Sequence, residues 1–168
     1  LTFTHGTPRT ICVKDNAGQD RWYWYMPYKI VNHTGQDRPF APDVTLATEE
    51  GDIVTADQDV PTNVFDTVKK QLGNTLLESP VQITGTIRQG ADFALESVIL
   101  WPTWDHHVGR MSLFVAGLSS EIQKVKNPIT AAEVEMAKVF MIDYAFPSRA
   151  RAPQFDEPKA GTEKWIMR

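Results

Sequence analysis

The stretch "WPTWDHHVGR" holds the densest group of residues able to do chemistry: Asp105, His106 and His107. Imidazole and carboxylate together are a common ligand set for zinc and related ions. His5 and His33 complete the four histidines, and either joins such a site only through the fold. The spacing argues the other way. Neighbouring residues of a strand point to opposite faces, so one ion rarely takes both His106 and His107. The chain has no H-x-H, H-x-x-x-H or C-x-x-C pattern. The expected state is a solvated loop, with a metal centre on Asp105, His106 and His107 as the rival reading. No cofactor is expected.

Other chemistry finds less footing. General acid–base work needs paired carboxylates in a pocket, whereas Glu49, Glu50 and Asp52 lie in a turn segment, "EEGD". No serine sits in a G-x-S-x-G elbow. "QLGNTLLESP" lacks the glycine run and lysine of a phosphate loop. Asn32-His33-Thr34 matches a glycosylation acceptor formally, but a polar hairpin turn accounts for it better. The chain therefore reads as a non-enzyme.

What remains is a set of large apolar residues near loops and the terminus: Trp101, Trp104, Trp165, Ile166 and Met167. Tryptophan is enriched where proteins bind each other. The closing "KWIMR" follows "PSRARAPQFDEPKAGTE", which is rich in proline and charge. Such a stretch reads as an extended arm over 148–168. Its tip either docks on a partner or folds back as a further strand of its own sheet. Deleting Pro153–Arg168 is expected to leave the body folded and to abolish a partner interaction.

The elements that must position these residues are mostly strands. In "RWYWYMPYKIV" the even positions Trp22, Trp24, Met26, Tyr28 and Ile30 share a face, and that face belongs against a core. Tyr23, Tyr25, Pro27, Lys29 and Val31 form an amphipathic, half-exposed face. The rival role, a stacking platform for bases or sugars, lacks a cationic groove. Pro27 has no N–H, which predicts an edge or a bulge there. The same period of two places Val81, Ile83 and Ile87 on one face of "VQITGTI", and Met111, Leu113 and Val115 on one face of "MSLFVAG". Phe40, Val44 and Leu46 share a phase, and Val98 to Trp101 is a short apolar run stopped by Pro102.

One segment has helical spacing. Val64, Val68 and Leu72, with Pro61 ahead and Gly73 behind, predict a helix over Thr62–Leu72. "NPITAAEVEMAKVFMIDYAFP" predicts a strand over Lys138–Phe146. Thr130 and Glu133 offer a capping box that leaves Ala131–Ala137 open between helix and strand.

The whole is a mainly β chain, an antiparallel sandwich with one inserted helix over 1–147 and the arm behind it. At 168 residues it builds its core without a staple, and Cys12 is the single cysteine, so no internal disulfide forms. Cys12 between Ile11 and Val13 reads as a small buried hydrophobe. A net charge of −4 weighs against a nucleic-acid binder. No apolar run spans a bilayer, so membrane contact is indirect or through a missing anchor. The chain opens on Leu1, which leaves room for a removed signal peptide or anchor.

"YWYMPYKIVNHTGQDRPFAPDVTLATEEGDIV" resembles the first half of a telokin-like, immunoglobulin-like domain common in bacterial exported proteins and lipoproteins. "GTIRQGADFALESVILWP" resembles its second half, and "MSLFVAGLSSE" the strand that follows. "RWYWYMPYKIVNHTGQDRPF", "LLESPVQITGTI", "FVAGLSSE" and "KWIMR" also resemble stretches of uncharacterised planctomycete-type proteins. The resemblance implies an immunoglobulin-like fold and an extracytoplasmic setting, periplasmic or membrane-associated. It brings no activity and no catalytic residue. The expected function is a structural or accessory subunit that binds other protein subunits of a larger assembly. The alternative is a small-ligand or carbohydrate-binding module using outward aromatics. A metal-dependent enzyme at His106 and His107 is the third reading.

Overall fold

The computed structural model of the chain describes residues 1–104, 106–147, 150–151 and 154–168. In order, the elements are β1 (Thr2–His5), β2 (Arg9–Lys14), β3 (Asp20–Asn32), β4 (Arg38–Phe40), β5 (Asp43–Thr48), β6 (Ile53–Thr55) and α1 (Thr62–Leu72). Then come β7 (Gly85–Ile87), β8 (Gly90–Pro102), β9 (Arg110–Ala116), β10 (Ile122–Lys126), β11 (Glu133–Ala145), β12 (Ala150–Arg151), β13 (Gln154–Phe155) and β14 (Lys159–Met167). The chain is mainly β and every strand pair is antiparallel, with α1 the one helix among the described residues.

The first sheet is built on β3. β8 lines one edge of it, and β1 and β2 lie end to end along the other. Pro27 falls in the gap between those two strands. Its carbonyl faces the gap and accepts from Gly6 N at 2.8 Å. A residue's N and O point to the same side of a strand, so the missing N–H costs no bond to β8. The expectation of an edge or a bulge is thereby corrected: Pro27 sits in a central strand, at the break between two partners. Gly6 is the residue that can approach it, because a Cβ there would stand 3.2 Å from Pro27 Cγ.

The second sheet runs β14, β11, β9, β5, β6. β10 continues along the β9 edge of β11: Lys138 N donates to Glu121 O there, while Ala137 exchanges both its bonds with Arg168 on the β14 side. The two sheets share one core. Trp24, Met26, Tyr28 and Ile30 of β3 meet Val44, Leu46, Met111, Leu113, Val115, Ile142 and Tyr144 of the second sheet. The alternation in β3, β5 and β9 follows the period of two read from the sequence.

A second cluster lies on the far side of the first sheet. Val64 and Val68 of α1 pack on Ile11, Val13, Tyr25, Val98 and Leu100. The helix spans Thr62–Leu72 and ends on Gly73 in the left-handed conformation, φ 62°, with Gly73 N donating to Lys70 O. Gly is favoured there because it carries no Cβ to clash. The helix corrects one expectation. Tyr25 is buried rather than half exposed, because α1 covers its face and Gln71 Nε2 reaches its hydroxyl at 3.3 Å. It also explains the Val98–Trp101 run: Val98 and Leu100 face the helix, and Ile99 and Trp101 face the other sheet.

Three further expectations change. Val81 is 83% exposed in a turn closed by Ser79 and Gln82, so the expected strand shrinks to Gly85–Ile87, with Ile83 and Ile87 still buried. Cys12 is half-buried on the face opposite Ile11 and Val13. Thr130 opens no helix: Asn127 Oδ1 accepts from Ile129 N and Thr130 N, Ala131 takes φ 56°, and β11 starts at Glu133.

The stretch read as an arm carries β14, which pairs with β11 from Lys138↔Met167 to Ala145↔Lys159. Its removal would strip one whole edge of β11, including the Trp165 ring packed on Phe140 at 5.3 Å between centroids. Deleting Lys159–Arg168 is therefore expected to lower the melting temperature by at least several degrees. A truncated chain that melts with the intact one would show that this strand adds nothing to the body.

Candidate interaction surface

The histidines do not converge. Asp105 lies outside the described residues. His106 is exposed, and its Nε2 stands 2.9 Å from Asp52 Oδ2. His107 is also exposed, and His33 lies exposed in a separate turn, between β3 and β4. His5 is occupied elsewhere: its Nε2 is 3.3 Å from Glu163 Oε1, and its Nδ1 is 3.0 Å from Gly6 O and 3.3 Å from the Tyr144 hydroxyl. Among the described residues no group of three potential ligands comes together. The His5–Glu163 pair joins β1 of the first sheet to β14 of the second. Burial, helped by Glu163, pushes the Tyr144 phenol above its ordinary range, so it keeps its proton beside Met26 Sδ at 3.3 Å.

The indoles divide. Trp101 and Trp104 are buried, which corrects their placement among outward-facing binding residues. Trp101 stacks on Trp24 at 6.1 Å between centroids, and Trp104 turns back from the end of β8 onto Trp24 and Phe146, at 6.5 Å from each. These rings pack within the core that the two sheets share. Trp165 remains 43% exposed on the edge strand, with Lys138 Nζ 5.7 Å from its ring, and Ile166 and Met167 are half-buried. Asn32 is buried, with Nδ2 bonded to Gln36 O and Ile87 O and Oδ1 accepting from Thr34. It closes its own turn and leaves no exposed amide for a glycan.

The surface that sequence reasoning missed is a two-stranded ribbon. Among the described residues, β10 and Glu133–Met136 at the start of β11 pair with each other and with no further strand. Cross-strand register sorts their side chains. One face carries Ile122 opposite Ala137, Lys124 opposite Glu135 and Lys126 opposite Glu133. Lys124 Nζ reaches Glu135 Oε1 at 3.3 Å. The other face carries Gln123 opposite Met136 and Val125 opposite Val134. That second face continues the core face of β11, the side of Phe140, Ile142 and Tyr144. Ile122, Ile129 and Val134 are 61%, 92% and 42% exposed. The alternation "EVEMAKV" was the available signal, hidden because it also suits a capped helix.

Asp57 marks a second edge. It holds φ 63°, and it caps the outer edge of β8 by accepting from Leu100 N on Oδ1 and donating its own N–H to Leu100 O. Burial pushes its carboxyl up to about 7 despite the bond from Leu100. Glu78 bridges β8 nearby at Ser97.

In comparison with known proteins, no family model, no curated protein and no solved structure matches the chain.

Proposed function

We propose that the chain is a non-catalytic accessory domain, immunoglobulin-like in type, that works by binding another protein. The observation that carries this reading is the ribbon of β10 and β11, which holds Ile122, Ile129 and Val134 exposed, Val134 on the face that continues the core and Ile122 on the other. A two-stranded ribbon is marginal alone, and exposed apolar residues grouped on one projecting element mark interaction sites. The tip residues Trp165, Ile166 and Met167 form part of the edge strand, so β14 offers a paired edge rather than a free docking peptide. The extracytoplasmic, membrane-associated setting rests on the sequence resemblance to exported bacterial β-domains. The test replaces Ile122, Ile129 and Val134 together by serine. The variant is expected to keep its melting temperature within a few degrees and to lose the native assembly seen by cross-linking and sizing of the endogenous complex. An intact assembly would sink the reading.

A second reading, ligand binding, has one observation in its favour. The outer face of the second sheet holds a shallow depression of about 480 Å3 beside Glu49, Arg110, Ser112, Phe114, Asp143 and Thr162. Arg168 lies 4.5 Å over the Phe114 ring, and Ser112 Oγ donates to Asp143 Oδ1 at 2.7 Å. An aromatic beside paired polar groups suits a sugar. Saturation-transfer NMR with a panel of simple oligosaccharides, on wild type and Phe114→Ala, decides it.

A further inference from the structure

We infer that the free edge of β10 receives an extended strand from a partner protein, with acidic side chains on one face of that strand and apolar side chains on the other. This deepens the protein-binding reading and rests on it. β10 pairs with β11 on one side, and its other edge meets no strand among the described residues along Ile122–Lys126. Strand addition satisfies such an edge and takes its specificity from alternate side chains.

The register of the ribbon states what those side chains must be. An added strand lies about 4.8 Å from β10. On one face its residues would stand beside Lys124 and Lys126, the side away from Glu135 and Glu133. Acidic residues there place each lysine between two carboxylates, and opposite charges directly across a ladder are stabilising. On the other face its residues would extend the Val125, Val134 and Met136 surface, where apolar side chains gain most. The chain already contains one strand of this kind: Glu133, Val134, Glu135 and Met136 occupy the inner edge of β10 in that pattern.

A second copy of β10 does not fit. Antiparallel pairing about a two-fold at Lys124 sets Lys124 against itself, and about Val125 it sets Lys124 against Lys126 of the copy. About Gln123 it sets Ile122 against Lys124. Like charges directly opposite are destabilising, and in none of these registers does a carboxylate come opposite Lys124 or Lys126. The occupant is a heterologous, acidic–apolar strand.

The test titrates the intact, isotope-labelled chain with short capped peptides of alternating glutamate and valine, of alternating lysine and valine, and of scrambled glutamate and valine. The alternating glutamate–valine peptide is expected to shift and protect the amides of Ile122–Lys126, more weakly as salt is raised. The other two should bind roughly tenfold more weakly or less. The Lys124→Glu, Lys126→Glu variant should exchange that preference for the lysine–valine peptide, and its unchanged amide spectrum elsewhere verifies the fold. Equal binding of all three peptides, shifts confined to β14, or no binding overturns the inference. If the serine variant above loses the native assembly while the peptide fails to bind β10, protein binding stands and strand addition falls.

Discussion

Trp24→Ala is expected to destabilise the chain by about 3–5 kcal/mol, the range for a large aromatic lost from a core. Trp24 touches Trp101, Trp104 and Phe146, with Phe146 at 5.3 Å between ring centroids, so its removal opens a space bounded by rings that cannot close together. Tyr25→Ala, one residue on and on the opposite face, should cost a comparable amount, because α1 and β2 bury it. The two losses should differ in what they couple to. A double-mutant cycle of Tyr25→Ala with Val68→Ala should show an interaction energy of about 0.5 kcal/mol or more, and Trp24→Ala with Val68→Ala nearly none. Denaturant unfolding of the six proteins checks it. A Tyr25→Ala variant close to wild type in stability would mean that the helix does not cover the first sheet.

Asp57→Asn is expected to stabilise the chain above pH 7 and to do little below pH 4. The sign follows from the direction of the shift. Folding raises this carboxyl from 3.8 to about 7, so the folded chain favours the protonated form. Below pH 4 both folded and unfolded chains carry the proton and the stability is complete. As pH rises from 4 to 7 the unfolded chain releases its proton first, and stability falls until the folded group also ionises. The full shift corresponds to about 4 kcal/mol. The side chain keeps some contact with water, which reduces the expected gain to about 2 kcal/mol. Asparagine keeps the oxygen that accepts from Leu100 N, and it tolerates a positive φ. Melting of both proteins from pH 4 to pH 9 tests this: the variant should show a flat profile where the wild type declines. Parallel profiles would remove Asp57 as the cause.

Local signals carried far in this chain. α1 follows from the spacing of Val64 and Val68 and from Gly73, all within one short stretch. The faces of β5 and β9 follow from alternation alone. What the sequence did not disclose depends on which surfaces are later covered. Tyr25 looks half exposed until a helix from elsewhere in the chain lies on it. Trp104 follows a proline and reads as a loop residue, yet the loop returns it to the core. "EVEMAKV" suits a helix or a strand, and the turn held by Asn127 decides for the strand. The ribbon as a surface was invisible for a further reason. Its apolar alternation resembles that of any core strand, and only the folded chain shows that Val134 stays exposed. The adjacency of His106 and His107 did not disclose that His106 turns to Asp52, which lies far from it in sequence.

The strand order also constrains the time course of folding. Trp24 pairs across from Trp101, and Leu46 across from Leu113. Both pairings wait for residues made much later, and both enclose the same intervening stretch. Loop-closure entropy must be met before either is rewarded, which places folding on the order of milliseconds to seconds. β2–β3 and β10–β11 are short-range hairpins and form first. Stopped-flow refolding should show tryptophan burial lagging behind hairpin formation, and simultaneous signals would contradict this order. On the ribosome, a nascent chain that ends near Ile87 already holds β3 and β5 but has neither β8 nor β9 to pair with them. Its aromatic core face is then open to other nascent chains, so the interval of synthesis between β5 and β9 is when this protein most needs a chaperone.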